Sequence, residues 1–177
     1  MSDVIEVPQV SNGEASGEEQ ALAYLPCIAA ASSWTVAFDF HTDGVESQEM
    51  WALFSDGTPF AAGATMYALG CDGGQSTGPG HDVRCGFKIS RFGTGGGSDV
   101  AAQIDPGMTV GVHYRLVATA NANGALSVSI FQGNTLVAYQ SGNAGAPIAV
   151  TALGFITGRQ DDGFRTYVDN FSFTSIP

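Results

Sequence analysis

The chain has 177 residues, enough for one domain with a sizeable core. Its formal charge of -11, with only 6 Lys and Arg, argues against nucleic-acid binding and against docking on anionic lipid. No apolar run approaches the roughly 20 residues of a membrane span, and 24 glycines promise frequent turns.

Met1 to Gln20 carries Asp3, Glu6, Glu14, Glu18 and Glu19 and no Lys or Arg, which reads as an acidic extended arm ahead of a domain over residues 21–177. Its start, MSDVIEVPQ, shows neither a basic n-region nor an apolar h-region, so no signal peptide is visible. Ala21 to Ala31 is small and apolar, a predicted first strand. In Ser33 to Phe40, Trp34, Val36, Phe38 and Phe40 line one side, against Thr35 and Asp39. Met50 to Ser55 is a short strand closed by Asp56-Gly57. Ala64 to Cys71 and Val83 to Phe92 read as a pair; in the second, Val83, Cys85, Phe87 and Ile89 alternate with Arg84, Gly86, Lys88 and Ser90. Gly93 to Gly97 reads as a flexible loop and Val100 to Ile104 as a strand, with a turn at Asp105-Pro106-Gly107.

Tyr114 to Gln140 is the clearest stretch: three antiparallel strands with two tight turns. Tyr114, Leu116 and Ala118 share one parity, as do Leu126, Val128 and Ile130, and two-residue turns are expected at Asn123-Gly124 and Gly133-Asn134. Ile148 to Thr157 and Arg165 to Thr174 finish the chain as strands. Sustained helical periodicity is absent throughout, and many short strands with frequent turns predict an all-β, two-sheet antiparallel sandwich. Of three cysteines, Cys71 and Cys85 flank the loop DGGQSTGPGHDVR and are positioned to staple its base; the alternative is three reduced, buried thiols.

Trp34 to Phe40, Leu53-Phe54-Ser55, Tyr114-Arg115-Leu116-Val117-Ala118 and Leu126 to Val137, in that order, resemble the laminin-G-like, concanavalin-A-like lectin-glucanase jelly rolls. Gly158-Arg159-Gln160-Asp161-Asp162-Gly163-Phe164 followed by Tyr167-Val168-Asp169-Asn170 is similar to that family's Gly-rich closure on a late strand. The resemblance covers Trp34 to Pro177 and implies two curved antiparallel sheets. That fold hosts lectins, lyases, glycosidases and inert modules, so it does not by itself name an activity.

Glycosidases of the laminarinase group place carboxylates as Glu-x-Asp-x-x-Glu on one strand. This chain has no such triplet, and Glu46-Ser47-Gln48-Glu49 has the wrong spacing. The Arg-x-Glu and Gln-x-His strands of alginate lyases are also missing; Gln103-Ile104-Asp105 lacks the histidine. His41, His81 and His113 show no nucleophile-and-acid context. Catalysis is therefore disfavoured.

Asp169 shares the parity of Tyr167, Phe171 and Phe173, so it is expected on the side of three aromatics, where a carboxylate needs a partner. The resemblance implies a structural Ca2+ held by such a late-strand aspartate, with Asp161 and Asp162 as further oxygen ligands. The competing reading has Asp169 capping a loop or pairing with Arg165 or Arg159. For glycan binding, Trp51 and Tyr67 supply rings, and Arg84, Lys88 and Arg91 concentrate half the positive charge within eight residues. That patch suits an acidic sugar, or the acidic arm of a second copy in a homo-oligomer. Its competing reading is Trp51 in the core beside a solvated basic edge.

The sequence thus points to a non-catalytic recognition or adhesion module, carbohydrate-binding, extracellular or on a virion surface as a decoration protein. The alternatives are a structural subunit that cements its neighbours through the arm, and a polysaccharide lyase or glycosidase with a site that the motifs do not reveal.

Overall fold

A computed structural model describes residues 10–11, 19–26, 33–43, 48–73, 82–93, 96–159 and 166–176. In chain order the strands are β1 (Val10–Ser11), β2 (Glu19–Pro26), β3 (Ser33–Thr42), β4 (Gln48–Ser55), β5 (Met66–Asp72) and β6 (Gly86–Gly93). They continue as β7 (Gly96–Ile104), β8 (Tyr114–Ala120), β9 (Ala125–Gln132), β10 (Thr135–Asn143), β11 (Ala152–Arg159) and β12 (Thr166–Ile176). Among the described residues there is no helix. Every strand pairing is antiparallel. One sheet has seven strands in the order β1-β2-β11-β4-β5-β6-β7, and the other five in the order β10-β9-β8-β3-β12.

Period-two alternation decides which side chains meet between the layers. Trp34, Val36, Phe38 and Phe40 of β3, Tyr114, Leu116 and Ala118 of β8, and Leu126, Val128 and Ile130 of β9 are all buried on one face. Opposite them lie Met50, Ala52 and Phe54, Tyr67 and Leu69, Phe87 and Ile89, and Leu153 and Phe155. Phe38 sits among the rings, with centroids 6.1 Å from Phe40 and 5.5 Å from Phe155.

The intervening residues of the seven-stranded sheet form a second apolar cluster. Trp51, Leu53, Met66, Ala68 and Ile156 are buried together on the opposite face, with Phe92 packed against them. Both parities of β4 are therefore apolar and buried, which is why MWALFS reads as a continuous hydrophobic run.

Several sequence expectations shift by a few residues. Gly93 to Gly97 is largely a hairpin rather than a loop: Gly93 ends β6, Gly96 begins β7, and the two pair. Gly133-Asn134 is the expected two-residue turn, with Gln132 facing Thr135 and Gly133 at φ 57°. The β8–β9 connection is longer than expected. Residues 121–124 form it, Gly124 N–H donates to the Asn121 carbonyl, and the side chains of Asn121 and Asn123 both accept from Ala125 N–H. Two asparagine side chains thus satisfy the backbone that a tighter turn would have paired directly. Within the arm, Val10 and Ser11 pair with Gln20 and Glu19; residues 1–9 and 12–18 lie outside the described residues, as does Cys27.

Cys71 and Cys85 form a disulfide with a Cα–Cα distance of 5.2 Å. Both residues are fully buried. The bridge ties the end of β5 to the approach of β6. Closing a loop of this length is worth about 3 kcal/mol through restriction of the unfolded chain. Replacing both cysteines by alanine is expected to lower the urea-unfolding free energy by about that amount; an unchanged midpoint would contradict it.

Candidate ligand groove on the five-stranded sheet

Three strands of the smaller sheet each end in the same local pattern, two polar or ring-bearing residues flanking a buried one. They are Asp39-Phe40-His41 on β3, His113-Tyr114-Arg115 at the start of β8, and Tyr167-Val168-Asp169 on β12. Alternation turns Phe40, Tyr114 and Val168 into the core and presents the flanking residues on the outer face. Register then aligns them, since Asp39 lies opposite both Arg115 and Asp169, and His41 lies opposite Tyr167. A cavity of about 570 Å³ opens over this patch, lined by Asp39, His41, His113, Arg115, Tyr167, Asp169 and Asn170.

The rings form a stack. The His41 imidazole lies 4.6 Å from the Tyr167 ring at 10°, and 4.2 Å from the His113 ring at 34°. Tyr167 O–H donates to Asp43 Oδ2 at 3.1 Å. The polar row is equally ordered. Arg115 Nη1 donates to Asp39 Oδ1 at 2.7 Å, and Asn170 Nδ2 donates to Asp39 Oδ2 at 2.7 Å. Asp169 Oδ1 accepts the Asn170 backbone N–H at 2.7 Å.

Asn170 occupies the left-handed region, φ 51°, and the β12–β3 register shifts between Asp169 and Ser172. The extra residue is a β-bulge. It overturns the expectation that Asp169 shares a face with Phe171 and Phe173. Beyond the bulge the parity reverses, and Phe171 packs into the core against Phe155 at 5.2 Å, while Asp169 stays on the groove side.

Burial, first, and the charge of neighbouring His113 hold His41 below the ordinary imidazole range, with Asp43 opposing them. The folded state therefore prefers neutral His41. Its contribution to stability is complete above the ordinary value of 6.5 and is lost as pH falls through that value towards the lowered folded one. Between about pH 7.5 and 5.5 the wild type is expected to lose more melting temperature than His41→Gln; parallel losses would contradict this.

Of the residues singled out from sequence for ligand binding, Trp51, Tyr67, Lys88 and Arg91 lie on the seven-stranded sheet, where Tyr67 is opposite Arg91 and Gly70 separates Trp51 from Lys88. Trp51 is 4% exposed in the second apolar cluster, and Tyr67 is 6% exposed in the main core on the other face of the same sheet. Arg84 and Arg91 are exposed. Lys88 is enclosed by Asp72 at 2.7 Å and Asp99 at 3.2 Å. Burial pulls its pKa down, but the hydrogen bonds to these two carboxylates outweigh that and raise it.

Asp169 Oδ1 accepts the Asn170 N–H within the bulge. Among the described residues no group of three or more His, Cys, Asp and Glu is placed to hold a metal ion. Asp161, Asp162, His81 and Arg165 lie outside the described residues.

No family model matches the chain, and no curated protein matches it. Its likeness is to solved structures. The exoplasmic/lumenal domain of VIP36 in metal-free form is 14% identical with a TM-score of 0.60, over 96% of this chain and 79% of that one. The Ca2+/Man-bound form of that domain is 14% identical with a TM-score of 0.60, over 95% and 77%. The carbohydrate binding module CBM66 from Bacillus subtilis is 14% identical with a TM-score of 0.51, over 92% and 84%. At such identity the likeness concerns the fold: the chain is a concanavalin-A-like jelly-roll sandwich, as the sequence resemblance implied.

Proposed function

We propose that the chain is a non-catalytic carbohydrate-binding module whose ligand lies in the groove of the five-stranded sheet. The observation that carries this reading is the juxtaposition, in one cavity, of the Tyr167–His41–His113 ring stack with the Arg115–Asp39–Asn170 polar row. A sugar ring presents an apolar C–H face and a rim of hydroxyls. Ring faces suit the first, and side chains fixed by mutual hydrogen bonds suit the second at little entropic cost. The likeness to a carbohydrate binding module and to a domain solved with bound Man supports the ligand class. An extracellular or particle-surface setting, including a virion decoration role, accords with the buried disulfide.

A glycan array followed by calorimetry, in Ca2+ and in EDTA, tests this. Binding to a defined glycan is expected, with the same Kd in both buffers, because both oxygens of Asp39 are engaged by Arg115 and Asn170. Loss of binding in EDTA would bring back a calcium ion held by Asp169 with Asp161 and Asp162. Silence across the array would favour the structural subunit, cemented to its neighbours through residues 1–20.

A second reading, a lyase or glycosidase, is favoured by the convergence of Asp39, Asp169, His41, His113 and Tyr167 on one cavity. Against it, both carboxylate oxygens of Asp39 are already engaged, by Arg115 and by Asn170. Release of reducing sugar, or new absorbance from unsaturated sugar, would establish that reading.

A further inference from the structure

We infer that the groove selects sugars bearing a protonated amine, of the 2-amino-2-deoxy class, over their N-acetylated and acidic counterparts; this rests on the groove being the glycan site. Its charge balance is the first ground. Among the described residues the lining holds two carboxylates, Asp39 and Asp169, against one guanidinium, Arg115. Arg115 is already committed to Asp39 at 2.7 Å. Asp43, which accepts from Tyr167, adds a further carboxylate at the margin.

Register is the second ground. Asp39 and Asp169 are directly opposed on adjacent strands, an arrangement that repels unless a cation or a donor set compensates it. Among the described residues, the fold compensates Asp39 through Arg115 and Asn170, but gives Asp169 one backbone N–H. The third ground is the backbone of Asn170. A non-glycine residue at φ 51° is an uncommon conformation, and it allows one residue to serve both carboxylates, its amide on Asp39 and its N–H on Asp169. Asn170 thus holds two like charges together beside the ring stack, where an ammonium would meet a carboxylate and a ring face.

An ammonium against Asp169 and the Tyr167 ring completes the charge balance. N-acetylation removes that charge, and a uronate adds another negative one.

Calorimetry at mildly acidic pH with glucosamine, N-acetylglucosamine and galacturonate oligomers of equal length tests the inference. The glucosamine oligomer is expected to bind about tenfold more tightly than the acetylated one, the size of one charge-assisted hydrogen bond. Raising the salt concentration should narrow the gap. Asp169→Asn should bring the two to near parity with an unchanged melting temperature. Asp39→Asn, which frees the Arg115 guanidinium, should instead raise affinity for the galacturonate oligomer. Equal or tighter binding of the acetylated or the acidic oligomer by the wild type would overturn the inference while leaving a glycan site in place. The same holds if only a neutral glycan from the array binds. Failure of every glycan to bind would overturn the underlying reading.

Discussion

Phe38→Ala is expected to lower the unfolding free energy by about 3–5 kcal/mol, the usual range for removing a core phenylalanine. Phe38 is fully buried on β3, a strand paired on both sides by β8 and β12. Its ring meets Phe40 along its own strand and Phe155 from the facing sheet, and Phe155 in turn meets Phe171. Truncation opens a void between the two layers that rings on strands held from both sides cannot collapse to fill. Urea unfolding followed by tryptophan fluorescence reads the change, since Trp34 on the same strand and Trp51 on the facing sheet are both buried. A loss below about 1 kcal/mol would mean that the layers do not meet at Phe38.

Tyr167→Ala is expected to weaken glycan binding by about thirtyfold, near 2 kcal/mol, as for a central aromatic contact. Tyr167 supplies the outermost ring face of the stack and, through its hydroxyl, anchors Asp43. Tyr167→Phe keeps the face and loses the anchor, so its loss should be several times smaller. Tyr167 is only half-buried, so the alanine variant should retain nearly all of its stability. Equal losses for the two variants would shift the work from the ring to the hydroxyl; no loss in either would place the sugar elsewhere.

The two layers were legible because the strands of the core alternate cleanly. Trp34, Val36, Phe38 and Phe40 fall on one face in sequence and in space, and so do Tyr114, Leu116 and Ala118. Where both faces of a strand are buried, alternation loses its meaning. Trp51 has the opposite parity to Met50 and Phe54, yet all three are buried, in two separate clusters. A single inserted residue also defeats parity. The bulge at Asn170 sends Phe171 to the core and leaves Asp169 on the groove, and local sequence does not announce it.

The groove escaped notice for a different reason. Asp39 and Arg115 are separated by 76 residues, and Asp39 and Asn170 by 131. Pairing of β3 with β8 and β12 is needed to bring them together, and no spacing rule encodes it. The usable signal was smaller: Asp39-Phe40-His41, His113-Tyr114-Arg115 and Tyr167-Val168-Asp169 each set two polar or ring-bearing residues on the outer face of a strand end. Within the expected basic patch, Lys88 is held by Asp72 and Asp99, while Arg84 and Arg91 are exposed.

Amide chemical-shift mapping during titration with a glycan chosen from the array tests the placement of the ligand most directly. Shifts confined to Asp39–His41, His113–Arg115 and Tyr167–Asn170 are the predicted result. Shifts centred on Lys88 and the outer face of the seven-stranded sheet would contradict it.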